Sequence, residues 1–265
     1  ETGLLNLEEL EGLFSERTKM VAFPHCSNII GHINPVKEIS QRAHKHGALS
    51  VVDGVAYAPH AFPDLKDLGA DIYLFSLYKT YGPHLGMMYV NKELIGKMEN
   101  QSHFFKEGIT RAMLTPAGPD HAQIAAASGI LDYFDAVYKH HFDEKAEPAQ
   151  KNRALNKLFN AHEKALLKPL LDFLKTRDDV QIIGPDDAEV RAATVSIIPK
   201  NRTLDQVYAT LVKHKIMLGK GDFYAVRPLM DMDIPRKPGV LRISFLHYTS
   251  MKEINQLIEA LKVAL

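Results

Sequence analysis

A carboxylate, a hydroxyl and an amine follow two short apolar runs within residues 49–90, LSVVDGVAYAPHAFPDLKDLGADIYLFSLYKTYGPHLGMMYV. The run 49–52 ends in Asp53, and the run 72–75 ends in Ser76 with Lys79 close behind. Apolar runs of this length, bounded by turn residues, are read as strands covered on both faces. Ligands of an open α/β sheet sit at the carboxyl ends of its strands, so Asp53, Ser76 and Lys79 are predicted to converge on one crevice. Each residue type also has an ordinary use. An aspartate closing a strand is commonly a turn or cap residue, and a lysine after a strand is commonly solvated. Their joint order with Asn28 and the flanking glycines carries the functional reading, not any one of them.

The elements that must position these groups follow from periodicity. Residues 7–13 have helical spacing with Glu8, Glu9 and Glu11 on the outer side, and a strand at 20–23 ends in PHCSNIIG. Residues 34–46 begin Asn-Pro, an N-cap and first helical residue; Val36, Ile39 and Ala43 form the core stripe and Gly47 ends the helix. A strand at 87–90 is followed by a polar run, and Ala125, Ile130, Phe134 and Val137 mark a helix. The character changes near Lys145. A helix over 149–176 precedes VQIIGPD and the alternating VRAATVSIIP, and Thr203 with Gln206 and Ser250 with Glu253 form capping boxes before two amphipathic helices. KGDFYAVRPLMDMDIPRKP reads as a long loop bordering the site, and GVLRISFLHYTS as a strand carrying Arg242. The predicted domains are therefore 1–144, an α/β unit with a mostly parallel sheet, and 145–265, a smaller α+β unit.

Composition narrows the function classes. The chain has 265 residues, 46% of them hydrophobic and 24% charged, enough for one large domain or a large and a small one. Its 32 basic and 32 acidic side chains cancel, which gives no electrostatic case for nucleic acid or an anionic membrane surface. The single cysteine, Cys26, excludes an intrachain disulfide and a cysteine-rich zinc site, fits a reducing cytoplasm, and reads as a packing residue. The thirteen histidines show no metal-ligand spacing, and no apolar run reaches transmembrane length.

The pattern VVDG followed by LGADIYLFSLYKTYGPH resembles the cofactor-binding core of class V aminotransferases, the fold-type I pyridoxal-phosphate enzymes that include cysteine desulfurases. The resemblance implies that Lys79 forms the Schiff base and Asp53 pairs with the pyridine nitrogen, keeping it protonated so that the ring accepts electrons from a bond broken at the substrate Cα. It implies a neutral lysine, its pKa lowered by burial beside a cationic ring. Ser76 then serves the phosphate, Asn28 of the SN-x-x-G segment the cofactor's phenolic oxygen, and Arg242 the substrate's α-carboxylate, which suits a planar bidentate donor. An Asx-turn at Asn28 and an ordinary strand arginine at Arg242 are the plainer alternatives.

The sequence departs from the family in three places. Ala56 stands where relatives often carry Gln or His, Gly118 stands where a threonine reaches a partner's phosphate, and no cysteine occupies the C-terminal loop where desulfurases keep theirs. The expected activity is transamination or related Cα chemistry on an amino acid or amine by a cytoplasmic homodimer. Desulfurase or lyase activity, or an inactive domain with a structural or binding role, are the alternatives. The resemblance also implies that Glu1 lies well inside the large domain, with the phosphate loop and the ring-stacking residue upstream of it.

Overall fold

The structure is a computed structural model and describes residues 2–265. The chain divides into two compact units: Leu7–His25 with Pro35–Leu155, and residues 2–6 with Cys26–Asn34 and Asn156–Leu265.

The first unit contains α1 (Leu7–Leu13), β1 (Met20–Pro24), α2 (Val36–Lys45), β2 (Leu49–Asp53), α3 (Leu65–Leu68), β3 (Ile72–Ser76), β4 (Gly86–Val90), α4 (Lys92–Ile95), α5 (His121–Ala126) and α6 (Ser128–His141). Its sheet has the order β1-β2-β3-β4, with β1, β2 and β3 parallel and β4 antiparallel to β3. The register pairs Pro24 with Asp53 and Asp53 with Leu74, so the parallel strands end side by side. Burial corrects the expectation of strands covered on both faces. Val52 and Tyr73 are wholly buried among Val36, Ile39 and Phe75, whereas Val51, Ile72 and Leu74 are half-buried, giving alternation along β2 and β3.

Helix α2 buries Val36, Ile39 and Ala43 as its spacing predicts, and Gly47 follows it with φ 70°, the left-handed conformation that suits glycine at a helix end. The expected Asn-Pro cap is absent. Pro35 occupies the cap position without a side-chain bond, and Asn34 Oδ1 instead lies 3.1 Å from His32 Nδ1. Asp71 ties the start of β3 to β2 by accepting the Ser50 N–H at 2.8 Å, and to α2 by pairing with His44 Nε2 at 2.7 Å. The single helix read through Ala125 and Val137 is two, α5 and α6, meeting at Ala127; Asp120 caps the first by accepting the Gln123 N–H.

Helix α7 (Pro148–Lys175) leads to β5 (Val180–Ile183), β6 (Thr194–Pro199), α8 (Leu204–Lys213), β7 (Gly219–Gly221), α9 (Val226–Asp231), β8 (Val240–Ser244) and α10 (Met251–Ala264). The second unit's sheet, β5-β6-β8-β7, is antiparallel throughout. Leu166, Leu167, Leu170, Leu171 and Leu174 of α7 pack with Val195 and Ile197 of β6 and with Val207 and Leu257, each such burial contributing about 1.5–3 kcal/mol. Both predicted capping boxes form. The stretch read as one loop instead contains β7 and α9, because Leu229 and Ile234 bury against Ile29, Ile30 and Ile183. Among the described residues no helix is long and apolar enough to cross a membrane, and no cluster of His, Cys, Asp or Glu could hold a metal ion.

Candidate active site

Asp53, Ser76 and Lys79 lie at the carboxyl end of the first unit's parallel strands. Asp53 is the last residue of β2 and its side chain is exposed; Oδ1 accepts the Val55 N–H at 2.9 Å, and its carbonyl accepts the His25 N–H at 2.8 Å. The ordinary turn role and an outward carboxylate therefore coexist. Ser76 closes β3, and a single 3-10 turn, Leu77–Lys79, lifts the lysine off the strand end. That turn is anchored on either side: Leu77 is buried, and Thr80, fully buried, donates its hydroxyl to the Ser76 carbonyl at 3.1 Å. Gly82 follows because a Cβ there would come within 2.6 Å of Ile130 Cδ1. The expectation of a buried Lys79 is not met by these residues. Its side chain is exposed, with Nζ 6.0 Å from the centroid of the Tyr78 ring, which itself stacks on His84. His60 is buried, and Ala56 contributes no polar group.

Sequence reasoning missed His25. Its ring stacks on Tyr57 at 3.5 Å between centroids, and Nδ1 lies 2.7 Å from the Tyr73 hydroxyl. The Tyr73 ring in turn fills the space beside Gly54, where a Cβ would fall 2.1 Å from a ring carbon. Thus the turn that carries Asp53 is packed by His25 and Tyr73. Nothing in sequence distinguishes this histidine, because its partner is 48 residues away. Burial pulls the His25 pKa from 6.5 down to about 3. An unfolded chain takes up that proton near 6.5, so the stability that neutral His25 contributes is complete above pH 6.5 and is lost as pH falls toward 3. The full gap is worth on the order of 4–5 kcal/mol. In His25→Gln, denaturant unfolding should therefore be less stable than wild type at pH 7 and lose less stability between pH 6.5 and 4. An unchanged pH slope would contradict the assignment.

Asn28 and Arg242 belong to the second unit and are brought together there. Arg242 Nη1 donates to the Asn28 carbonyl at 3.1 Å, and Asn28 Nδ2 donates to the Phe223 carbonyl at 2.9 Å. Arg242 is half-buried, which lowers its pKa from the usual arginine value. Cys26 is buried, with its thiol directed at the Gly31 carbonyl 3.3 Å away, and burial pushes its pKa up to about 12 against the opposing charge of Arg191. A protonated, enclosed thiol is a packing group.

The chain has the architecture of fold-type I pyridoxal-phosphate enzymes: an apo structure of cysteine desulfurase from Thermococcus onnurineus superposes with a TM-score of 0.81 at 23% identity, over 99% of this chain and 64% of that one. The Aminotransferase class-V family matches residues 1–114 and 151–257. This chain belongs to the class V aminotransferase family, whose members depend on pyridoxal phosphate. It is 34% identical to the aminotransferase-like protein FGM3 of Gibberella zeae, over 98% of this chain and 63% of that protein. It is 29% identical to a cysteine desulfurase of Pectobacterium carotovorum, over 99% of this chain and 62% of that protein. The chain thus spans less than two thirds of the length of these relatives.

The donor set fits the cofactor. Asp53 offers an exposed carboxylate whose Oδ2 has no partner among the described residues, Ser76 a hydroxyl and Lys79 an exposed amine, all at the carboxyl ends of β2 and β3. These are the groups required by a ring-nitrogen proton, a phosphate oxygen and an aldehyde.

Proposed function

We propose that the chain is the core of a pyridoxal-phosphate enzyme that breaks a bond at the Cα of an amino acid or amine, with transamination as its reaction. The observation that supports this most is the grouping of Asp53, Ser76 and Lys79 at the ends of β2 and β3. When bound, the cofactor supplies an electron sink for the pair left at Cα. Lys79 would hold the cofactor through its aldehyde and, as a neutral amine, would carry the proton removed from Cα. Asp53 would keep the ring nitrogen protonated, Ser76 would donate its hydroxyl to the phosphate, and Arg242 would hold the α-carboxylate through paired N–H groups. Asn28 is assigned to the cofactor's phenolic oxygen. A homodimer in the cytoplasm belongs to the same reading, with the backbone N–H of Gly118 in place of a threonine hydroxyl.

Desulfurase activity is the second reading, supported by the names of several relatives. Cys26 discriminates between them, since its enclosed thiol is unsuited to accept sulfur as a thiolate. With the full-length protein and cysteine as substrate, Cys26→Ala should leave the main activity within twofold of wild type. Keto-acid formation dependent on an amino acceptor would support transamination. Sulfide release abolished by Cys26→Ala would put the desulfurase reading first.

A further inference from the structure

Residues 221–225 join β7 to α9 through an unusual backbone. Phe223 has φ 49° and Tyr224 φ 63°, two adjacent non-glycine residues in the left-handed region, directly after Asp222. Such conformations persist only where the surroundings impose them, and they concentrate at ligand clamps. Here the constraint is visible. Asp222 Oδ1 accepts the Tyr224 N–H at 3.1 Å, its Oδ2 pairs with Arg236 Nε, and its carbonyl accepts the Ala225 N–H at 2.8 Å. Arg236 holds the Asp222 carboxyl below its usual pKa, so this clasp stays ionised at neutral pH. The backbone so fixed turns the Tyr224 side chain fully out to solvent and lays the Phe223 ring over the Arg242 guanidinium, 3.9 Å from Cζ to the ring centroid. Asn28 closes the set, accepting Arg242 Nη1 on its carbonyl and donating Nδ2 to the Phe223 carbonyl.

We propose that Phe223 is a positioning residue that presets Arg242 for a carboxylate ligand; this rests on the assignment of Arg242 to the substrate's α-carboxylate. One face of the guanidinium is covered by the ring and one N–H group is used by Asn28, which removes rotation about the side chain's last bonds. The Nε and Nη2 edge takes no acceptor among the described residues. That edge is the pair of parallel donors a carboxylate accepts in bidentate fashion, and holding it still lowers the ordering cost of binding. A stacked ring also limits the water reaching the cation, which strengthens the pair it forms.

The test uses full-length protein loaded with pyridoxal phosphate and the variants Phe223→Leu and Phe223→Tyr. Leucine keeps bulk without a π face, and tyrosine keeps the ring. Phe223→Leu should raise the KM for an amino acid about tenfold with kcat within threefold, and leave the KM for the corresponding amine, which lacks the carboxylate, unchanged. Phe223→Tyr should restore both. Independently of turnover, the Arg242 Nε–H proton should show an upfield ring-current shift in NMR spectra of the cofactor-free protein, lost in Phe223→Leu, and its response to added succinate should weaken about tenfold. An amino-acid KM within twofold of wild type in Phe223→Leu, or an Arg242 signal without the ring-current shift, would overturn the proposal. If the shift is present but the Arg242 Nε–H signal of the wild-type protein does not respond to succinate, the carboxylate assignment of Arg242 fails instead, and the presetting role falls with it.

Discussion

Lys79→Ala should reduce turnover of the cofactor-loaded full-length protein by at least about 10⁴-fold, because the proposed role gives one amine both covalent attachment and proton transfer. Fold stability should stay within roughly 0.5 kcal/mol of wild type, since the Lys79 side chain is exposed and its turn is held by the buried Leu77 and Thr80. Lys79→Arg should be as inactive as the alanine variant. The guanidinium keeps the positive charge but never becomes a neutral nucleophile, so this variant separates a chemical role from a merely electrostatic one. Turnover within tenfold of wild type in either variant would remove Lys79 from the chemistry.

Asp53→Asn should lower kcat by about 10³-fold while the cofactor still binds, since a neutral amide cannot hold a proton on the ring nitrogen. The geometry supplies the control. Asp53 Oδ1 accepts the Val55 N–H at 2.9 Å, a bond the asparagine oxygen can keep and alanine cannot. If Asp53 were only a turn residue, Asp53→Asn would be active and stable, and Asp53→Ala alone would suffer, by about 1 kcal/mol. If its charge acts on the cofactor, both variants are inactive and only Asp53→Ala is destabilised. Equilibrium unfolding beside single-turnover kinetics on the pair distinguishes these outcomes.

The site was legible in sequence where its determinants are local. Asp53, Ser76 and Lys79 sit at strand ends that apolar runs announce, and the capping boxes at Thr203 and Ser250 depend on residues a single turn apart. Determinants that act over long separations were invisible. His25 meets Tyr73, Asn28 meets Phe223, and α9 forms in a stretch rich in Asp, Pro and Gly because Leu229 finds an apolar cluster elsewhere in its unit. The Asn34 cap fails for a local reason: its Oδ1 lies 3.1 Å from His32 Nδ1, two residues away, and Pro35 takes the cap position. Asn28 has a structural duty that its motif did not announce, since its amide and carbonyl tie Phe223 to Arg242 within one unit.

The central claim is that Lys79 is the residue that carries the cofactor. Full-length protein saturated with pyridoxal phosphate, reduced with borohydride, digested and mapped by mass spectrometry tests it most directly, because reduction makes the lysine attachment permanent whatever the substrate proves to be. The adduct should fall on the peptide containing Lys79, and the Lys79→Ala protein treated in the same way should give none. An adduct on another lysine, with Lys79 recovered unmodified, would contradict the account.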